Sequence, residues 1–161
     1  MKKVLYVIIA LVVVYFVLCL FGPKEIKVER SIVVNGNPEM VKDLLGDLKF
    51  FQEKWSPWSE KDPNMKVSYI GEMGKAGSGY SWTGNKEVGT GTMVVTSTEG
   101  DSVIQKLSFE GMGDSRTFYA VKPENNASKI TWGISFDVGF MGRAMMLFMD
   151  MDKMMGADFE K

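Results

Sequence analysis

The sequence predicts an α+β fold: one membrane-spanning helix, then a curved antiparallel sheet of about seven strands that closes round a long C-terminal helix. Three features point there. Val4 to Phe21 is an unbroken apolar run. From Met65 to Val138, alternating stretches are separated by turn residues at the short spacing of an antiparallel meander. Phe140 to Lys161 holds seven of the thirteen methionines, and Met141, Met145, Phe148, Met155 and Phe159 recur at helical spacing.

The apolar run comes first. Its eighteen residues would span about 27 Å as a helix, close to the hydrocarbon thickness of a bilayer. Val, Ile and Leu surround every face without a polar stripe, which argues against a buried core helix. A cleaved signal peptide is the competing reading. However, Leu18, Cys19, Leu20 and Phe21 lack the small residues a cleavage site needs. Residues 1–24 are therefore expected to be a short tail and a single-pass anchor, and residues 25–161 the folded domain. Lys2 and Lys3 favour an inside N-terminus and an extracytoplasmic domain at the cell membrane, although Lys24, Lys27 and Arg30 weaken that bias. Pro23 ends the helix.

Glu25 to Val34 alternates as a strand, with Ile26, Val28, Ile32 and Val34 on one face and Arg30 interrupting them. Asn37 and Pro38 open a helix as N-cap and first residue. It carries Met40, Val41, Leu44, Leu45 and Leu48, and Gly46 is expected to kink or split it. Strands follow over Lys66–Gly71, Tyr80–Thr83, Gly91–Thr98, Ser102–Glu110, Ser115–Lys122 and Lys129–Val138. The final methionine-rich helix offers an adaptable thioether face.

Composition narrows the chemistry. There is no histidine, and the one cysteine, Cys19, lies in the apolar run. This removes histidine-assisted nucleophiles and the commonest metal ligand. Asp150, Asp152 and Asp158 do not share a helical face, and Glu60 and Asp62 flank Lys61 in a loop, so no metal or other cofactor is expected. Of nineteen Lys and Arg, sixteen follow Lys24 and meet twenty acids, a balance of −4. With no basic patch, nucleic acid is not an expected partner.

Trp55-Ser56-Pro57-Trp58, Asp62-Pro63, Gly77-Ser78-Gly79-Tyr80-Ser81-Trp82 and Gly84-Asn85-Lys86-Glu87-Val88-Gly89, with Gly91, resemble the SRPBCC superfamily. More narrowly they look like its START-related, polyketide cyclase/dehydrase-like bacterial members. Thr131-Trp132-Gly133 and the closing Gly156 to Lys161 fit the same pattern. The resemblance covers nearly all of residues 25–161. It implies the helix-grip fold, with a hydrophobic cavity between sheet and C-terminal helix that binds lipids or polycyclic molecules. Some relatives are enzymes, and membrane-anchored versions occur. Relatives usually continue past the Asp-Phe-Glu-Lys segment with further helix. Either a chain truncated at Lys161 or a protein with a short C-terminal helix is therefore implied.

The expected pocket lining is Trp55, Trp58, Tyr80, Trp82, Phe109, Arg116, Phe118, Trp132, Met141, Met145, Phe148, Asp152 and Met155. Each aromatic or methionine has core packing as its competing reading. Asp152 falls on the apolar face of the helical wheel. It could anchor a ligand's polar group or serve as an acid or base; the competing role is an ion pair with Arg30 or Arg116. Arg116 is either a headgroup contact or an exposed side chain with a packed stem. The expected function is membrane-anchored binding of a hydrophobic small molecule or lipid. The alternatives are a cyclase- or dehydratase-type enzyme using Asp152 and a protein-interaction module.

Overall fold

The computed structural model describes residues 2–159, with side chains as far as residue 155. The expectations for the side chains of Asp158 and Phe159, and for the closing Gly156–Lys161 pattern, lie outside the described residues.

Helix α1 (Lys2–Phe21) stands apart from the sheet, with its apolar side chains largely exposed. It is long and apolar enough to cross a membrane. Strand β1 (Glu25–Val34) follows after three residues. Helix α2 (Pro38–Gly46) begins as anticipated: the Asn37 side chain accepts from the backbone N–H groups of Glu39 and Met40, with Pro38 at the first position.

The split after α2 belongs to Asp47, not to Gly46. Asp47 leaves the helical region, and its carboxylate accepts from Lys49 and Phe50 to start α3 (Leu48–Lys54). A Cβ at Gly46 would meet nothing closer than 3.8 Å, so the break does not need that glycine. A short helix α4 (Pro57–Lys61) follows, which the aromatic-rich sequence had concealed.

Six more strands complete the sheet: β2 (Lys66–Ile70), β3 (Gly79–Thr83), β4 (Thr90–Ser97), β5 (Ser102–Phe109), β6 (Asp114–Glu124) and β7 (Ala127–Asp137). All neighbours are antiparallel, in the order β1-β7-β6-β5-β4-β3-β2. The consecutive strands thus form a meander, and β1 closes on the last strand. A bulge between Val95 and Ser97 adds local bend to β4. The period-2 rule then sorts the side chains. Val28, Tyr80, Trp82, Met93, Val95, Val103, Leu107, Tyr119, Val121, Ile130 and Ile134 form one buried face, covered by Leu45, Leu48 and Phe51 of α2 and α3.

The single long helix expected from Phe140 is three pieces. A 3-10 turn (Phe140–Gly142) leads into α5 (Arg143–Met146), and α6 (Met151–Phe159) starts after a break. Asp150 makes the break. Its carboxylate accepts from Lys153 N–H, and its carbonyl accepts from Met154 N–H, capping a new helix.

Candidate ligand-binding site

Two ring clusters occupy the inner face beneath the helices. In the first, Trp55 at the end of α3 meets Phe51, Tyr119 and Trp132 at centroid distances of 5.3, 5.9 and 5.9 Å. In the second, Trp58 of α4 stacks on Trp82 at 4.8 Å, with Phe109 edge-on to both. Gly91 makes room for Trp82. A Cβ there would lie 2.5 Å from the indole and 2.5 Å from the Ser108 carbonyl oxygen. The Trp82 indole N–H donates to the Val88 carbonyl at 3.3 Å. Trp82 and Tyr80 are fully buried, whereas Trp55 remains 39% exposed and Trp132 half-buried. Trp55 and Trp132 therefore form an accessible aromatic ledge above a packed floor.

The buried core around these clusters contains polar atoms without partners among the described residues: the hydroxyls of Ser56, Tyr80 and Tyr119, Gln105 Nε2 and Gln52 Oε1. Burial, more than the neighbouring Tyr69, raises the Tyr80 phenol above its ordinary value. Ser56 lies close enough to offset part of this, yet the two hydroxyls do not reach hydrogen-bond geometry. Burial likewise raises Tyr119, with Tyr80 adding to it. Both phenols stay neutral and remain able to donate a hydrogen bond. Gln105 is held by Thr117, which donates to its Oε1 at 2.9 Å, leaving the amide nitrogen free.

Arg30 explains its interruption of β1. It pairs across the sheet with Trp132 on the inner face, and its guanidinium meets both carboxylate oxygens of Asp152 at 2.8 and 2.9 Å. This fork ties α6 to the sheet. Hydrogen bonding from Arg30 holds the Asp152 carboxyl below its ordinary range. The aspartate is thus an engaged anion: it does not supply a proton at neutral pH. Beside the pair, a cleft of about 590 Å³ opens to solvent between Glu25–Val28 of β1 and the Leu147–Asp152 segment. Along the inner face of β1, Val28 belongs to the cleft and Arg30 to the ledge, so the ion pair stands between the two.

The expected lining residues separate into four places. Trp55, Trp58, Tyr80, Trp82, Phe109 and Trp132 gather on the inner face. Met155 packs against the same core, and Asp152 and Phe148 line the cleft. Arg116 and Phe118 cannot join them. They alternate with the buried Thr117 and Tyr119 and so point to the opposite face, where Lys27 lies 5.3 Å from the Phe118 ring. Met141 and Met145 are exposed beside α1, because the break after α5 destroys the helical register that placed them with Asp152. The residues missed were Phe51, Ser56, Gln105 and Tyr119. Tyr119 was available from the Thr117-Tyr119-Val121 alternation, had the alternate Arg116-Phe118-Ala120 face not been chosen instead. Ser56 belongs to the Trp-Ser-Pro-Trp motif, but nothing in the sequence shows that its hydroxyl or the Gln105 amide nitrogen is left unpaired, since that depends on what surrounds them.

A seven-stranded antiparallel sheet with helices packed on an aromatic inner face defines a helix-grip protein. The chain belongs to the family described as polyketide cyclase / dehydrase and lipid transport, whose model matches residues 25–161. Among curated proteins none matches by sequence. Solved structures share the fold. Truncated norcoclaurine synthase from Thalictrum flavum aligns over 83% of this chain and 90% of its own, at 10% identity and a TM-score of 0.58. Major latex-like protein 151 from Panax ginseng aligns over 78% and 98%, at 15% identity and 0.53. A protein from Chromobacterium violaceum aligns over 86% and 91%, at 12% identity and 0.53.

Proposed function

We propose that the protein is a membrane-anchored binder of a hydrophobic small molecule or lipid, held on the inner face of the sheet. The observation that carries this reading is the ledge: two large indoles, Trp55 and Trp132, left partly open above a buried aromatic floor. Pockets for small molecules are lined in this way, mainly apolar with a few placed polar groups. Unpartnered polar atoms of Tyr80, Tyr119, Ser56 and Gln105 are closed to solvent in the core and would serve as such groups once the rings of the ledge move aside. Leaving a buried donor or acceptor unpaired costs about 1–3 kcal/mol each, and a ligand hydroxyl or carbonyl would recover part of that. Membership of a family described by cyclase, dehydrase and lipid-transport activities supports a hydrophobic cargo. Helix α1, with its length and apolar composition, supports the anchor.

An enzyme using Asp152 is less well supported, because both carboxylate oxygens are already taken by Arg30. An interaction module is the remaining alternative, favoured only by the exposed apolar residues near α5.

The test is solvent extraction and mass spectrometry of the purified full chain, alongside Trp55→Ala and Trp132→Ala variants. A retained apolar molecule, depleted in both variants, is the expected result. Absence of any retained or titratable hydrophobic compound from the unsubstituted chain would overturn the reading.

A further inference from the structure

The exposed apolar residues of the 139–148 segment have a common location. Phe140, Met141, Met145, Leu147 and Phe148 are all exposed, Phe148 by 79%. Their segment packs against the domain-side end of α1. Phe140 lies 6.1 Å from Phe16, ring to ring. The Tyr15 hydroxyl donates to the Met141 carbonyl. The Cys19 thiol faces the same carbonyl at 3.9 Å and is fully buried. Gly22 fits against Arg143 so closely that a Cβ would sit 2.3 Å from the Arg143 carbonyl oxygen.

Depth follows from helix geometry. Tyr15 precedes Phe21 by six residues, about 9 Å along the axis. With α1 across a bilayer, a group bonded to Tyr15 sits well below the level at which the chain emerges. The contacts also suit that depth. A phenol and a carbonyl facing lipid would each lack a partner, and here they satisfy one another. Arg143 is the single charged residue between Gly139 and Met149. Its guanidinium rests 5.7 Å from the Phe140 ring and its Nε donates to the Val138 carbonyl at 3.3 Å, so the charge is held within the segment with its stem on apolar surface.

We propose that residues 139–148 are a second membrane-contacting element. They form an interfacial wedge seated beside α1, at the boundary of acyl chains and headgroups in the domain-side leaflet. This rests on the reading of α1 as a transmembrane anchor. The occupant of the patch is lipid because the patch is continuous with the lipid-facing surface of α1. The wedge holds one side of the 590 Å³ cleft, through Leu147 and Phe148, at the membrane surface.

The test is cysteine accessibility in the full chain carrying Cys19→Ser, in phosphatidylcholine membranes open on both sides. Single cysteines replace Met145, Phe148, Leu11 in α1, or Met112 in the exposed β5–β6 turn. The expected result is loss of reaction with a water-soluble maleimide at positions 11, 145 and 148, retained reaction at 112, and reaction at all four after the membranes are dissolved and the chain unfolded in sodium dodecyl sulfate. Protection at 11 with full labelling at 145 and 148 overturns the wedge and leaves the anchor standing. Labelling at 11 as well overturns both. The unsubstituted chain gives an independent readout. A photoactivatable probe confined to acyl chains should mark 139–148 together with α1, and marking of α1 alone would again sink the wedge. Protection seen only in native membranes, and never in pure lipid, would assign the patch to a protein and also overturn the proposal.

Discussion

Arg30 and Asp152 sit 122 positions apart in sequence and form the one forked ion pair tying the C-terminal segment to the sheet among the described residues. Their solvent exposure makes the pair a weak source of global stability, but it has a defined pH signature. The folded-state pKa of Asp152 is depressed, so its contribution is present above the unfolded value and lost as pH falls through the folded one. Docking of α6 should therefore hold at neutral pH and loosen only once pH drops below the ordinary aspartate value of 3.8. Hydrogen exchange of α6 amides against pH measures this, and Asp152→Asn should show faster exchange already at pH 7. Unchanged exchange in the variant would remove the latch role. At this scale the sequence was partly legible. Arg30 stood out as a charge in an apolar row, and Asp152 as a charge on an apolar helical face, each naming the other as a possible partner. Ser56 and Gln105 were not legible, since an unpaired polar atom is a property of three-dimensional surroundings.

Elements were read well where one period dominated and poorly where two features competed. The alternation from β1 to β7 left little freedom, because slipping a strand by one residue would turn its whole apolar set outward. The methionine-rich end had no such constraint. Its wheel joined residues on either side of Asp150, and an aspartate that can cap a helix also looks like a charge inside one. Replacing Asp150 by alanine should remove the cap and cost about 0.5–2 kcal/mol of local stability. The expected outcome is faster exchange at Lys153 and Met154, with exchange in β5 and β6 unaltered. Slower exchange in α6 would instead indicate that the continuous helix is favoured and that Asp150 alone prevents it. The mistaken choice of the Arg116–Phe118 face has a similar cause. Both faces of β6 carry an aromatic ring, and only the helices packed above decide which is inside.

For the whole molecule, the architecture was readable from the order of its elements and from the family resemblance, but the position of the C-terminal segment was not. Its first part, Phe140–Met146, packs against α1, while α6 packs on β1 with Met155 against the core. That placement depends on contacts between parts of the chain far apart in sequence, such as Phe16 with Phe140, which no local pattern encodes. It bears directly on localisation. With both α1 and the Phe140–Phe148 surface in lipid, the full chain should remain in the membrane pellet after alkaline carbonate washing. Release into the supernatant would contradict the anchor.

Only Gly22, Pro23 and Lys24 separate α1 from β1, and three residues reach about 10 Å even when fully extended. With α1 as the proposed anchor, such a connection would fix the domain's height above the bilayer and leave it almost no radius of search on its tether. A carrier on a long flexible leash could collect cargo at one surface and deliver it at another. This one would be a stationary port: any molecule it holds must leave by the same leaflet or be handed to a partner that comes to it.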